Sequence, residues 1–87
     1  MLVVSDSVTT YFSDWLREVD APESACVRLI LQRDGVEVAV DEVRPGDTCF
    51  ESGDRTVLVL DSQVATLLEN KSLDIRESDD GPQLALS

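Results

Sequence analysis

The sequence contains no histidine. That removes the commonest general base and the commonest metal ligand. Cysteine is scarce as well: Cys26 and Cys49 are the two present, too few for a disulfide scaffold, and both are read as reduced. Lysine occurs once, at Lys71, and eighteen acidic residues face seven basic ones, for a net charge of −11. Phosphate recognition needs clustered Lys and Arg, so nucleic acid is not expected as a ligand. An anionic membrane surface is disfavoured for the same reason. No apolar run approaches the roughly 20 residues of a membrane span. The opening MLVVSDS has neither a basic segment nor a long apolar one, so no secretory leader is read there and the cytoplasm is the expected compartment.

Catalytic motifs are missing too. No serine, cysteine or lysine sits in a recognisable nucleophile pattern. The segment ESGDRT (Glu51 to Thr56) holds a lone glycine, which does not make a phosphate loop. Neither an enzyme nor a bound cofactor is expected.

What the chain does contain is periodic apolar sequence, 43% of 87 residues, enough for one small core. Leu2 to Val4 reads as a short strand, and Ser5 or Asp6 caps a helix starting near Ser7. Val8, Phe12, Trp15 and Val19 recur at helical spacing, widened by Tyr11 and Leu16. This stripe predicts an amphipathic helix buried through Trp15. Pro22 ends it.

Strand signals follow. CVRLILQR places Val27, Leu29 and Leu31 on one face and Arg28, Ile30 and Gln32 on the other. Asp34-Gly35 predicts a two-residue turn with positive φ at both positions, and Val36, Val38 and Val40 share a face of the returning strand. Pro45-Gly46 suits a type II turn before the short strand TCFE. RTVLVLD is the most apolar strand and is expected to be central. Asp61 caps a second, short helix with Val64, Leu67 and Leu68 inward. SLDIRES and QLALS are the last strands, with DDGP turning between them. Two helices and about seven strands in this order predict a single α+β domain over residues 1–87, mainly antiparallel.

Two groups could carry chemistry. Cys26 and Cys49 could hold a metal only with two further ligands, which an oligomer would have to supply. The plainer reading is two small side chains among apolar neighbours. Asp79 and Asp80, near Asp74 and Glu77, offer oxygen ligands, yet the spacing matches no calcium loop and suits a solvated turn.

The order of these segments resembles the HesB-like proteins, the A-type iron–sulfur cluster carriers. LVVSDSVTTYFSDWLRE is similar to their opening strand, cap and helix, and VRLILQRDG to their next strand. RPGDTCFESGDRTVLVLDSQVATLLENKSLDI is similar to the segment that follows. The resemblance implies a small HesB-like fold and a role near iron–sulfur cluster assembly. It does not carry over the cluster ligands. The family places a cysteine in a Cys-Ser-Gly type segment after the VRL strand, where Arg33-Asp34-Gly35-Val36 stand here. A Cys-x-Cys pair follows near the family's C-terminus; this sequence ends at Ser87, before that pair would come. Thiolates make an iron–sulfur site, so no cluster is expected.

The function expected is therefore a non-enzymatic HesB-like scaffold that binds a protein. The alternative is an iron–sulfur or metal carrier using Cys26 and Cys49 across a homo-oligomer. The resemblance implies that the first hairpin and the C-terminal segment lie side by side, which makes Asp34, Gly35, Asp79 and Asp80 the candidate interaction residues. Their charge favours a basic partner protein.

Overall fold

The computed structural model describes residues 1–87. β1 (Val3–Val4) leads into α1 (Asp6–Glu18). Ser5 is the N-cap, accepting a hydrogen bond from the Val8 N–H. Its hydroxyl also donates to Asp74 Oδ1 at 2.9 Å, which fastens the helix start to a distant strand. After the helix come β2 (Ala25–Gln32), β3 (Gly35–Glu42), β4 (Thr48–Ser52) and β5 (Arg55–Leu60). α2 (Ser62–Leu67) is capped by Asp61, and β6 (Ser72–Ser78) and β7 (Gly81–Leu86) close the chain.

Two sheets form. One is four-stranded in the order β3-β2-β5-β4, the other three-stranded in the order β1-β6-β7. The three hairpins are antiparallel, whereas β1 runs parallel to β6 and β2 parallel to β5. The expected α+β class and the central place of RTVLVL both hold. No helix is long and apolar enough to cross a membrane.

The core lies where α1 meets both sheets, touching β2, β4 and β5 of one and β6 of the other. Val8, Phe12 and Leu16 form the buried spine of α1, against Val27, Leu29, Leu58, Leu60 and Leu73. This corrects the expected stripe. Trp15 packs at the core's margin and is only partly buried. Val19 is 51% exposed and Tyr11 40%. Helical spacing admits steps of three or four residues; the spine that forms uses steps of four from Val8, which rotates Trp15 off centre. Likewise α2 buries Val64, and its C-cap Leu68 is buried, but Leu67 is left 57% exposed.

The first hairpin also differs from expectation. Gln32 pairs with Gly35, so the two-residue loop is Arg33–Asp34, not Asp34–Gly35. Neither loop residue takes a positive φ; Gly35, the first residue of β3, does so at +148°. The unusual backbone conformation is thus passed to the one residue without a Cβ. The turn at Arg44–Asp47 is as expected, with Gly46 at φ +87° and the Asp47 N–H donating to the Arg44 carbonyl at 3.1 Å.

β3 and β4 occupy opposite edges of the four-stranded sheet. β3 ends at Glu42 beside Ala25, the start of β2, while β4 begins at Thr48 beside Leu60, the end of β5. Since β2 and β5 are parallel, residues 43–47 must run diagonally across the sheet. They cross the face opposite the helix, the one carrying Cys26, Arg28 and Val59, where Arg28 bonds the Glu42 carbonyl and the Asp47 carboxylate. That crossing explains why Val59 is buried although α1 packs on the other side, while Val57, the extra residue of a bulge in the β4–β5 ladder, joins the main core.

Candidate interaction site

The predicted interaction residues sit at two hairpin tips. Asp34 and Gly35 are at the β2–β3 tip, beside a shallow depression lined by Gln32 to Glu37 alone. Asp79 and Asp80 form the two-residue loop between Ser78 and Gly81 at the β6–β7 tip, where the Ser78 hydroxyl donates to the Gly81 carbonyl at 2.8 Å. The aspartates are exposed at both tips. The tips belong to different sheets, and none of the three aspartates takes part in an ion pair. The β6–β7 tip is therefore a free acidic projection, while at the β2–β3 tip Asp34 stands exposed beside Arg33.

The two cysteines lie on one face of the four-stranded sheet, on strands separated by β5. Cys26 pairs across to Asp41 of β3, and Cys49 to Val59 of β5. Cys26 is buried and its thiol donates to the Asp41 carbonyl at 3.5 Å. Burial pushes that thiol's pKa up, against the opposing effect of nearby Arg28. Cys49 is exposed, its Sγ 4.0 Å from the Asp47 carbonyl. No group of three or more Cys, Asp or Glu residues is placed to hold a metal ion. Within one chain these residues do not fit an iron–sulfur cluster, which needs a converging set of thiolates.

Between the cysteines lies a cluster that sequence reasoning missed. Arg28, from the middle of β2, donates through Nε to Asp41 Oδ2 at 2.7 Å. Its Nη2 donates to Asp47 Oδ2 at 2.6 Å and to the Glu42 carbonyl at 3.1 Å. Nη1 donates to Asp47 Oδ1 at 3.1 Å. The guanidinium thus grips both ends of the diagonal crossing. Side-chain exposure is 11% for Arg28 and 3% for Asp47. The Arg28 guanidinium, helped by the Arg44 N–H, holds the Asp47 carboxyl below the usual carboxylate range against burial. Asp41 is lowered as well, first by the Glu42 N–H and then by Arg28. Arg28 itself is raised, chiefly by its hydrogen bonds to Asp47. The available signal was an arginine inside the apolar run CVRLIL. Strand alternation put it on the second face but could not say that a loop covers that face.

No protein-family model matches the sequence, and no curated protein does either. Solved structures do match. Over 99% of this chain and 83% of the other, the fold superposes on Escherichia coli SufA, described as involved in biosynthesis of iron–sulfur clusters, with TM-score 0.70 at 15% identity. The chain has the HesB-like fold. IscA, solved with a [2Fe-2S] cluster, is similar over 100% of this chain and 84% of its own, with TM-score 0.67 at 13% identity. Identities this low are carried by architecture. In the HesB-like fold of this chain, the β2–β3 tip, where the sequence resemblance placed a cysteine ligand, carries Arg33, Asp34 and Gly35.

Proposed function

We propose that this chain is a non-enzymatic HesB-like scaffold that binds a protein in the cytoplasm, near iron–sulfur cluster assembly, without holding a cluster itself. One observation carries the reading. The β2–β3 tip offers an exposed aspartate where the resemblance puts a thiolate, while the chain's own thiols are a buried Cys26 on β2 and an exposed Cys49 on β4. The retained core, including Phe12, Leu29, Leu58 and Leu73, owes nothing to a cluster.

Binding is electrostatically assisted. At −11 the chain attracts a basic protein and repels polyanions. Asp34, Gly35, Asp79 and Asp80 form the contact tips. The test is a titration of a protein captured from the native cell, at low and at moderate salt. Wild type is compared with the triple variant Asp34→Lys, Asp79→Lys, Asp80→Lys. Weaker binding and a flatter salt dependence are expected for the variant, with its folding nearly unchanged, because exposed charges contribute about 0–1 kcal/mol each. Equal affinities at both salts would remove the tips from the interface.

A further inference from the structure

The two sheets leave four edge strands: β3, β4, β1 and β7. Unpaired edges invite further strands, and folded proteins blunt them. Three are blunted here. β1 has two residues. β4 has five residues, and its ladder with β5 is interrupted beside Phe50/Glu51 by a bulge whose extra residue is Val57. β7 carries Pro82, and the pairing of Ser78 with Gly81 turns position 82 outward, so an open-edge N–H is missing there. β3 differs. It runs eight residues, GVEVAVDE, with no proline and no bulge.

The direction of its free backbone groups follows from the register. Gln32 and Gly35 flank a two-residue loop and exchange hydrogen bonds, as do Ile30 with Glu37 and Arg28 with Ala39. The N–H and C=O groups of Val36, Val38 and Val40 therefore face the open edge. The Glu42 N–H, of the same parity, turns to the Asp41 carboxylate instead of to β2. Beside this edge the side chains alternate: Val36, Val38 and the 47% exposed Val40 on one face, Glu37 and Asp41 on the other.

We infer that β3 is a docking edge for an extended, basic segment of a partner protein, one that alternates apolar residues with Lys or Arg. The inference rests on the protein-binding reading above and names how the partner attaches. Main-chain hydrogen bonds to Val36, Val38 and Val40 supply the pairing, and alternate side chains supply the specificity. Apolar residues of the added strand lie beside the valines, and cations lie against Glu37, with Asp34 close by at the tip. Charge rules against a second copy as the occupant. Antiparallel self-pairing centred on Val38 sets Asp34 against Glu42, and centred on Ala39 it sets Glu37 against Asp41, whose charge Arg28 and Arg44 offset only within its own chain. Like charges directly opposite are destabilising, and each copy brings −11.

The probe is a labelled, end-capped peptide of alternating valine and lysine, with a valine–glutamate peptide as control. Affinity is read by fluorescence anisotropy and edge pairing by amide hydrogen exchange. Saturable binding of the lysine peptide is expected, at least about tenfold tighter than the control. Exchange at Val36, Val38 and Val40 slows on binding. Val38→Pro removes an outward N–H without touching the β2–β3 ladder and reduces affinity about tenfold or more. Glu37→Lys, which leaves the backbone intact, also weakens it. Absent saturable binding, or binding without protection of those three amides, overturns the inference. So does a self-complex that protects them without peptide, which would assign the edge to a second copy. None of these results bears on whether a cluster is held, which cluster reconstitution decides separately.

Discussion

Arg28 of β2 and Asp47 of the β3–β4 crossing form a bidentate ion pair, at 2.6 and 3.1 Å, beneath the loop that spans the sheet. The same guanidinium reaches Asp41 and the Glu42 carbonyl, so one side chain holds both ends of the crossing to the strand it covers. The physical consequence is asymmetric. A well-packed apolar substitute for the pair could be nearly neutral, whereas removing one partner strands a buried charge.

Arg28→Ala should therefore destabilise the fold by about 3 kcal/mol, at the lower end of the range for a broken buried pair, because solvent lies close on the Asp41 side. Arg28→Met with Asp47→Leu should recover much of that loss. Urea denaturation of the three proteins checks this. A wild-type midpoint for Arg28→Ala would show that the crossing is held by something else.

The same pair gives a pH dependence with a definite sign. Asp47 has its pKa lowered in the folded chain relative to an ordinary carboxylate. A group lowered on folding contributes stability above its unfolded pKa, about 3.9 for Asp. That contribution is lost as pH falls through the folded value. The stability difference between wild type and Asp47→Asn should be constant from neutral pH to about 5 and should shrink below about 4. Measuring the difference cancels the charge relief that protonating the other acids brings. A gap that widens toward acid would contradict the assignment.

Phe12, not Trp15, anchors α1. Phe12 is fully buried on the spine, while Trp15 sits at its margin. Phe12→Ala should cost about 3–5 kcal/mol, enough to threaten so small a domain, and Trp15→Ala clearly less. Thermal melts of both variants check the order. A larger loss for Trp15→Ala would restore the stripe read from the sequence.

The thiols should separate in reactivity. Cys49 is exposed; Cys26 is buried, donates to the Asp41 carbonyl, and has its pKa raised by burial. A chromogenic disulfide reagent should label one thiol per folded chain promptly and the second only on unfolding. Prompt labelling of both would mean that the crossing opens readily above Cys26.

The order of strands and helices was legible because turn chemistry and periodicity are local. Ser5 and Asp61 cap the helices as their side chains require, and Pro45-Gly46 makes the turn its backbone favours. What is not local was not legible. Val19 and Leu67 fit an apolar pattern, but only the packing partner decides which edge of a helical stripe is covered. Arg28 meets Asp47 because a crossing joins opposite edges of the sheet, and no pattern within β2 encodes that route. At the candidate site, the absence of sulfur around Asp34 could be read directly. The separation of Cys26 and Cys49 by β5 needed the register.

Whether the chain holds a cluster is decided by anaerobic reconstitution with ferrous iron and sulfide, followed by desalting and an absorption spectrum. A colourless protein whose spectrum matches the untreated chain is expected, because the β2–β3 tip carries Arg33, Asp34 and Gly35 and no thiolate joins Cys26 or Cys49 there. A stable visible absorption band that vanishes on Cys26→Ser or Cys49→Ser would contradict that expectation and make the chain a cluster carrier with a ligand set of its own.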